Sequence, residues 1–278
     1  MRFWIDLKYA LRVLLQKPSF ALMATFIMAI GLGLCVFNYS FIYGTSLKDL
    51  PYENGDRMRS MMLRAPMNFS PFDTDLYNEV IENQTSFSYV GVFDDRSVNV
   101  SGNKNAVLYE AAQVQPGFFE FTSTSPVMGR VFNDADMVEG AKPVVVIGQK
   151  VWKNYLGGDP NVVGSEIRLD GVDTEVIGVM PEGYKFPVRQ ELWTPLKRDI
   201  SIRSLQERIG VMGMLKPGVT DEMAVKELTT IYRRMLTENP ERNDEGTPFI
   251  NTFPEFSMLG IEGIFVAMTV ATLLVLIL

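Results

Sequence analysis

The stretch FALMATFIMAIGLGLCVFNYSFIY (residues 20–43) decides the architecture of this chain. It contains 24 residues, and no charged residue occurs between Pro18 and Leu47. An α-helix rises about 1.5 Å per residue, so this run can span a hydrocarbon core of about 30 Å with some tilt. A secretory signal peptide is the competing interpretation, but its apolar region is shorter, at about 7–15 residues. We therefore predict a transmembrane helix over residues 18–45.

A second apolar run, LGIEGIFVAMTVATLLVLIL (residues 259–278), closes the sequence. Its only charged residue is Glu262. The run lacks the polar flank that a spanning helix places among the lipid headgroups. We expect a second transmembrane helix over residues 258–278, truncated here, in a native chain that continues; a tail-anchored end is the alternative.

The segment before the first apolar run predicts the orientation. Residues 1–17 carry four basic residues and one acidic residue, a net charge of +3. Basic flanks remain in the cytoplasm, so we expect residues 46–257 on the outer side, which is the periplasm in a bacterium. Phe3, Leu7 and Leu11 also share one helical face, which predicts an amphipathic helix at the inner membrane surface over residues 1–17. An ordinary cytoplasmic flank is the alternative.

Composition excludes several classes of function. The chain has 33 acidic and 26 basic residues, a net charge of −7, which argues against a nucleic-acid partner. It has no histidine and one cysteine, Cys35, which excludes His-dependent catalysis, His- or Cys-cluster metal sites and an internal disulfide. We predict no catalytic, cofactor-binding or metal-binding residue. A hydrolase using the clustered acids Asp134, Asp136 and Glu139 is a rival, but such clusters are typical of a solvated loop.

Two helices are predicted in the region between the apolar runs. Ser70 has the features of an N-cap, with Pro71 in the first turn, and this helix should run to about Gln84. Thr220 is predicted to cap a second helix that ends at Asn239-Pro240. The apolar face of this second helix consists of Ala224, Leu228, Ile231 and Met235.

The sequence between these helices is rich in β-forming residues and glycine. Residues 143–148 predict a buried strand, and residues 149–156 predict a short helix. Two further strands, 166–169 and 173–180, flank Asp170-Gly171, which is a hairpin signal. This arrangement predicts an α+β domain with a β-rich insertion.

A series of short motifs in this region resembles the MacB-like periplasmic core domain of FtsX-type ABC transporter permeases, and is closest to the branch with two fused permease halves. The order and spacing of the motifs carry the resemblance, since each alone is common. In the core region they are VQPGFF (114–119), GRVF (129–132), Asp136, PVVVI (143–147), VW (151–152), GGDP (157–160), VG (163–164), VIGVMP (176–181), FP (186–187) and LWTPL (192–196). Towards the ends they are DLKYALR (6–12), KP (17–18), GLG (31–33), LPY (50–52), DR (56–57) and LKPGVT (215–220).

The resemblance implies a two-lobed outer domain over residues 46–257. One lobe would be mixed α/β and built from both ends, and the other, about residues 116–204, would be β-rich. It further implies a permease subunit in the bacterial inner membrane that transmits ATP-driven motion to the periplasmic domain for efflux or export. The implied partners are a separate ATP-binding subunit, a second permease half or second copy, membrane lipid and a periplasmic adaptor. The chain contains no G-x-x-x-x-G-K-[ST] phosphate loop, so ATP would bind to the partner.

The residues that carry the resemblance are expected to be structural. Glycines should serve turns or close backbone approach, tryptophans should pack, and Arg130 should pair with Asp134 or Asp136 rather than with a substrate. These signature residues are Gly129, Arg130, Asp136, Trp152, Gly158, Asp159, Pro160, Gly164, Gly178, Pro181, Trp193, Pro195 and Gly218.

Small residues in the first apolar run predict close helix packing in the membrane. Ala29 and Gly33 form one small-xxx-small pair, and Gly31 and Cys35 form a second pair on a neighbouring face. The sequence departs from the resembled family at Cys35, with Asn38 about one turn further on. A two-span sensor with a periplasmic ligand-binding domain has the same topology up to Leu278 and is the alternative function.

Overall fold

The chain divides into two units. The helical unit comprises Met1–Lys48 with Met258–Leu278, and the core unit comprises Asp49–Ser257. The computed structural model describes Trp4, Arg12 and residues 16–43, 52–65, 69–102, 105–115, 117–196, 208–242, 246–253 and 262–277. The amphipathic helix predicted over residues 1–17 lies outside the described residues, apart from Trp4, Arg12 and residues 16–17.

The helical unit contains two apolar helices that contact each other. Helix α1 is Pro18–Ile42, with Pro18 in its first turn, where a missing N–H costs nothing. Helix α6 is Glu262–Ile277. Within the described ranges, one helical stretch, Pro18–Phe41, is long and apolar enough to cross a membrane. Of the predicted second span over residues 258–278, the structure describes Glu262–Ile277, which forms α6.

The core unit is built on one mixed sheet, and the described strands number eleven. The strands are β1 Met58–Arg64, β2 Phe69–Asp73, β3 Phe87–Ser101, β4 Val107–Val114, β5 Met128–Gly129, β6 Val144–Ile147, β7 Glu166–Leu169, β8 Val172–Val179, β9 Leu192–Pro195, β10 Arg208–Leu215 and β11 Thr247–Asn251. In order across the sheet they are β11, β1, β2, β10, β3, β4, β9, β6, β8 and β5, and β7 pairs with both β3 and β8. The helices are α2 Thr74–Asn83, α3 Phe118–Phe121, α4 Asp134–Met137 and α5 Asp221–Glu238, with a 3-10 turn at Gly55–Arg57.

Strand β3 belongs to both halves of this sheet. Its first part, Phe87 to Phe93, pairs antiparallel with β10, which comes from the C-terminal region of the core unit. Its second part, Phe93 to Val100, pairs antiparallel with β4 in the middle of the chain. The sheet is therefore continuous from the edge strand β11 to the short strand β5. The α+β class predicted from the sequence is confirmed.

Helices α2 and α5 cover the part of the sheet formed by β1, β2 and β10. Thr220 caps α5 as predicted, because its hydroxyl accepts a hydrogen bond from Met223 N at 3.3 Å. The predicted start of α2 is wrong. Ser70 and Pro71 lie in strand β2, and Asp73 is the N-cap, accepting from Leu76 N at 3.0 Å.

The middle of the chain forms the elements that its glycine pattern predicts. Strand β6 is fully buried, and β7 and β8 form an antiparallel hairpin around Asp170 and Gly171, which both have positive φ. The helix predicted over 149–156 is a helical turn whose residues Val151–Tyr155 are π-helical. Leu156 N donates to Val151 O at 3.1 Å, and this hydrogen bond between residues five apart is the one that defines a π-helical turn.

The described residues of the core unit form three hydrophobic clusters. One lies between the sheet and helices α2 and α5, and includes Leu76, Val80 and Leu228. Another lies among β4, β6, β8 and the π-helical turn, and includes Ile147 and Val151. The third is rich in aromatic side chains and joins residues from both ends of the core unit to its middle.

Candidate functional site

The aromatic cluster joins the two ends of the core unit to one loop in its middle. Tyr52 lies near the start of the core unit and Phe253 near its end. The Tyr52 ring is 5.7 Å from the Phe186 ring and 5.6 Å from the Tyr184 ring. Phe253 also contacts Phe186, with ring centroids 4.7 Å apart. Loop 181–191 therefore contacts both chain segments that lead towards the apolar helices.

Hydrogen bonds hold loop 181–191 in place between β8 and β9. Trp193 Nε1 donates to Phe186 O at 2.8 Å, and the Trp193 side chain is fully buried. Gln190 Oε1 accepts from the backbone N–H groups of Val188 and Arg189 at 2.8 and 3.1 Å. The Tyr184 hydroxyl lies 3.1 Å from Thr122 Oγ1. The buried Trp193 hydrogen bond thus ties the loop to β9, and such a bond is costly to break.

The tyrosines of this cluster serve as packing groups. Burial raises the pKa of Tyr52 above its ordinary value, although hydrogen bonds to the backbone of Lys185 and Phe186 act in the opposite direction. Burial raises the pKa of Tyr184 far above its ordinary value. Both phenols therefore remain neutral at physiological pH. Neutral, hydrogen-bonded aromatic rings contribute packing area to this cluster.

Arg130 lies against Asp136. Its guanidinium donates twice to the Asp136 carboxylate, at 2.5 and 3.0 Å. Asp136 also completes a capping box with Asn133 at the start of α4. The Arg130 pKa is raised by this pairing. Of the other acids in the predicted cluster, Asp134 and Glu139 are exposed.

Two signature glycines allow β5 to lie close to β8. A Cβ on Gly129 would lie 2.1 Å from Ile177 O, and one on Gly178 would lie 2.3 Å from Arg130 O. Both positions therefore exclude any side chain. The backbone pairs there directly, with Arg130 N donating to Ile177 O at 2.8 Å.

The remaining signature residues lie in turns or in the core. Trp152 Nε1 donates to Asp159 O at 2.8 Å, and Gly158 N donates to Trp152 O at 2.9 Å, so this turn closes on itself. Gly164 N donates to Val176 O at 2.8 Å. Pro195 ends β9, whereas Pro160, Pro181 and Gly218 occupy turns or loops.

The small residues of α1 lie on two different faces. Gly31 and Asn38 are buried and Cys35 is partly buried, whereas Ala29 and Gly33 are exposed. Asn38 Nδ2 donates to Thr269 Oγ1 of α6 at 3.2 Å. The Gly31–Cys35 pair therefore shares the face of α1 that meets α6.

The aromatic cluster was not predicted from the sequence. Its members Tyr52, Phe186 and Phe253 are far apart in the chain. Tyr52 and Phe186 stand within the motifs LPY (50–52) and FP (186–187), whereas Phe253 stands in none of the motifs. The high content of phenylalanine and tyrosine, 18 and 10 residues, was the available signal. It indicates aromatic packing without indicating the partners.

One comparison with known proteins identifies a family. The model of the MacB-like periplasmic core domain matches residues 21–231. No curated protein sequence gives a match. Three solved structures share the fold at 13–17% identity, which supports a common fold and nothing finer.

The first of these structures is the periplasmic region of MacB from Actinobacillus actinomycetemcomitans, with a TM-score of 0.54 and 14% identity, covering 73% of this chain and 91% of that one. The second is the extracellular domain of the noncanonic ABC-type transporter YknZ from Gram-positive bacteria, with a TM-score of 0.53 and 17% identity, covering 70% and 99%. The third is a domain of a permease protein from Porphyromonas gingivalis, with a TM-score of 0.56 and 13% identity, covering 72% and 92%.

Proposed function

The chain belongs to the MacB-like periplasmic core domain family, and on that premise we propose that it is a permease subunit of an ABC transporter. In this proposal a separate ATP-binding subunit hydrolyses ATP in the cytoplasm. The membrane helices carry the resulting motion to the core unit, which lies in the periplasm and drives efflux or export. The N-terminus is cytoplasmic, the membrane is the bacterial inner membrane, and a second permease half or second copy completes the subunit.

The aromatic cluster is the observation that carries this proposal. Tyr52 follows α1 in the chain, and Phe253 precedes α6. Both side chains contact Phe186, whose carbonyl accepts a hydrogen bond from Trp193 of β9. The two segments that join the core unit to α1 and to α6 are called the linkers here. A displacement of either linker would therefore act on loop 181–191 and, through it, on β9. Close-packed interiors transmit such displacements because they have few voids that could absorb them.

Helix packing in the membrane fits the same role. In lipid, helices associate through close packing and interhelical hydrogen bonds, because the hydrophobic effect does not drive them together. The Asn38–Thr269 hydrogen bond joins α1 to α6 where Asn38 is buried. Two helices joined in this way would move as a pair and would deliver one motion to both linkers.

Purification of the full-length protein from its native membrane tests the proposal. An ABC ATP-binding subunit should co-purify, and the complex should hydrolyse ATP in proportion to that subunit. Recovery of a histidine kinase-like or coiled-coil signalling module in its place would favour the two-span sensor. A complex without ATPase activity would contradict the permease assignment.

A further inference from the structure

A cleft of about 390 Å³ opens beside the aromatic cluster. One wall is the helical turn 149–154, the other is the loop 181–185, and Glu191 lies between them. The Tyr184 ring that packs against Tyr52 also lines this cleft. The volume falls within the range of small-molecule sites, which is about 300–1,000 Å³.

The charges in the cleft are organised around one buried carboxylate. The Glu191 side chain is 7% exposed, and its Oε1 lies 3.5 Å from Lys185 Nζ and 3.9 Å from Lys150 Nζ. Lys153 pairs with Glu182 at 3.1 Å, which leaves that pair neutral. Lys150, Lys185 and Glu191 together carry a net charge of +1. The cleft is therefore locally cationic in an acidic chain.

The two lysines beside Glu191 retain unused hydrogen-bond donors. Their distances to Glu191 are too long for good hydrogen bonds, and in the described part of the chain neither ammonium donates one to another group. Both side chains are more than half exposed. Glu191 thus holds two ammonium groups at the cleft while their N–H groups remain available to a ligand.

Gln149 adds an acceptor to this set of donors. Its Oε1 is buried and has no hydrogen-bond partner among the described residues. A buried acceptor without a donor is costly, so a ligand that supplies an N–H or O–H group there would gain binding free energy. The cleft therefore offers two cationic donor groups to a small molecule, and Gln149 in its wall offers one acceptor once its side chain turns towards that molecule.

We propose that this cleft binds a small monoanion that carries a carboxylate next to an N–H donor, the chemistry of the C-terminal end of a short peptide. The carboxylate would lie between Lys150 and Lys185, and the N–H would donate to Gln149 Oε1. The local charge of +1 matches one carboxylate. A dianionic phosphate would leave the cleft with a net charge of −1, so it matches the local charge less well than one carboxylate does.

Calorimetric titration of the full-length chain in detergent micelles tests this site without any ATP-binding subunit. The probes are N-acetyl-alanyl-alanine, its C-terminal amide, acetate and inorganic phosphate. The acid should bind at least about tenfold more tightly than its amide, which lacks the carboxylate, and more tightly than phosphate. This comparison uses the unaltered protein, so it does not depend on the folding of any variant.

Three variants and a matched control locate the binding. Lys150→Gln and Lys185→Gln should each weaken binding of the acid by about tenfold, and Gln149→Leu should weaken it while leaving acetate binding unchanged. Lys226→Gln, which removes an exposed lysine on α5, should have no effect. The proposal would be overturned if acid and amide bound equally, or if phosphate bound more tightly than the acid. It would also be overturned if no binding occurred at about 10 mM acid, or if the Lys226 variant lost as much affinity as the others. Since the permease test measures ATPase recruitment, either proposal can fail alone.

Discussion

Glu227 fixes helix α5 to the start of strand β3. Its carboxylate accepts hydrogen bonds from Thr85 N at 2.7 Å, Thr85 Oγ1 at 2.6 Å and Ser86 N at 3.0 Å. Burial alone raises the pKa of Glu227, but the hydrogen bonds from Ser86 and Thr85 outweigh burial and hold the pKa below its ordinary value. This side chain therefore stabilises the fold in its ionised form.

We expect Glu227→Gln to lower the free energy of unfolding by about 1–2 kcal/mol at neutral pH, because it weakens charge-assisted hydrogen bonds. The pKa of Glu227 is lower in the folded state than in the unfolded state, where it is about 4.3. The resulting stabilisation is fully present above the unfolded-state pKa and is lost as the pH falls through the folded-state pKa. The difference between variant and wild type should therefore shrink below about pH 4. Denaturant titrations followed by tryptophan fluorescence, to which the buried Trp193 contributes, measure this, with the exposed Glu238→Gln as control. A pH-independent difference would assign the loss to packing.

Gly178 tests the close approach of β5 to β8. Gly178→Ala places a methyl group 2.3 Å from Arg130 O, so the strands must separate, at a cost of about 1–3 kcal/mol. Gly102→Ala is the matched control, since nothing lies within 4 Å of its Cβ position. Thermal unfolding should show a lower midpoint for the first variant and little change for the second. Equal midpoints would mean that the edge strand β5 can move away from β8 without loss of stability.

At the scale of elements, the two faces of α1 should respond differently to a larger side chain. Gly31 is buried on the face that meets α6, whereas Gly33 is exposed with nothing within 4 Å of its Cβ position. Leucine is favourable in lipid, so Gly31→Leu and Gly33→Leu should both insert. Gly31→Leu should reduce disulfide formation between Asn38→Cys and Thr269→Cys in a Cys35→Ala background, and Gly33→Leu should not. Equal yields would show that α1 and α6 tolerate separation at Gly31.

The elements themselves show how far local sequence pattern reaches. Helix α5 and the β7–β8 hairpin were predictable because caps, apolar spacing and a two-residue turn are local signals. The start of α2 was not, because Pro71 pairs with Met62 of β1, a contact made outside the local sequence. The aromatic cluster was not predictable for the same reason, since Tyr52 and Phe253 both contact Phe186 although they are distant from it in the chain.

At the scale of the whole molecule, the orientation in the membrane can be tested directly. The basic flank over residues 1–17 and the apolar α1 predict that the core unit lies outside the cytoplasm. Alkaline phosphatase fused after Gly102, an exposed residue at the end of β3, should therefore be active. A fluorescent protein that folds only in the cytoplasm should be dark at the same position and bright at the N-terminus. The opposite pattern would reverse the topology and remove the basis for a periplasmic core unit.

The coupling route through the aromatic cluster gives the last prediction. Tyr52 is the side chain to remove, because it is only partly buried, whereas truncating the buried Phe186 would cost about 3–5 kcal/mol and could unfold the protein. In the complex with its ATP-binding subunit, spin labels at the exposed residues Val163 and Glu238 should change their separation when ATP is added. Tyr52→Ala should retain ATP hydrolysis but lose most of this change, because one linker no longer contacts loop 181–191. Phe69→Ala, which removes a partly buried ring outside the cluster, should retain both. An unchanged response in Tyr52→Ala would mean that motion reaches the middle of the sheet without this contact, and β3, which runs through both halves, would then be the route to examine.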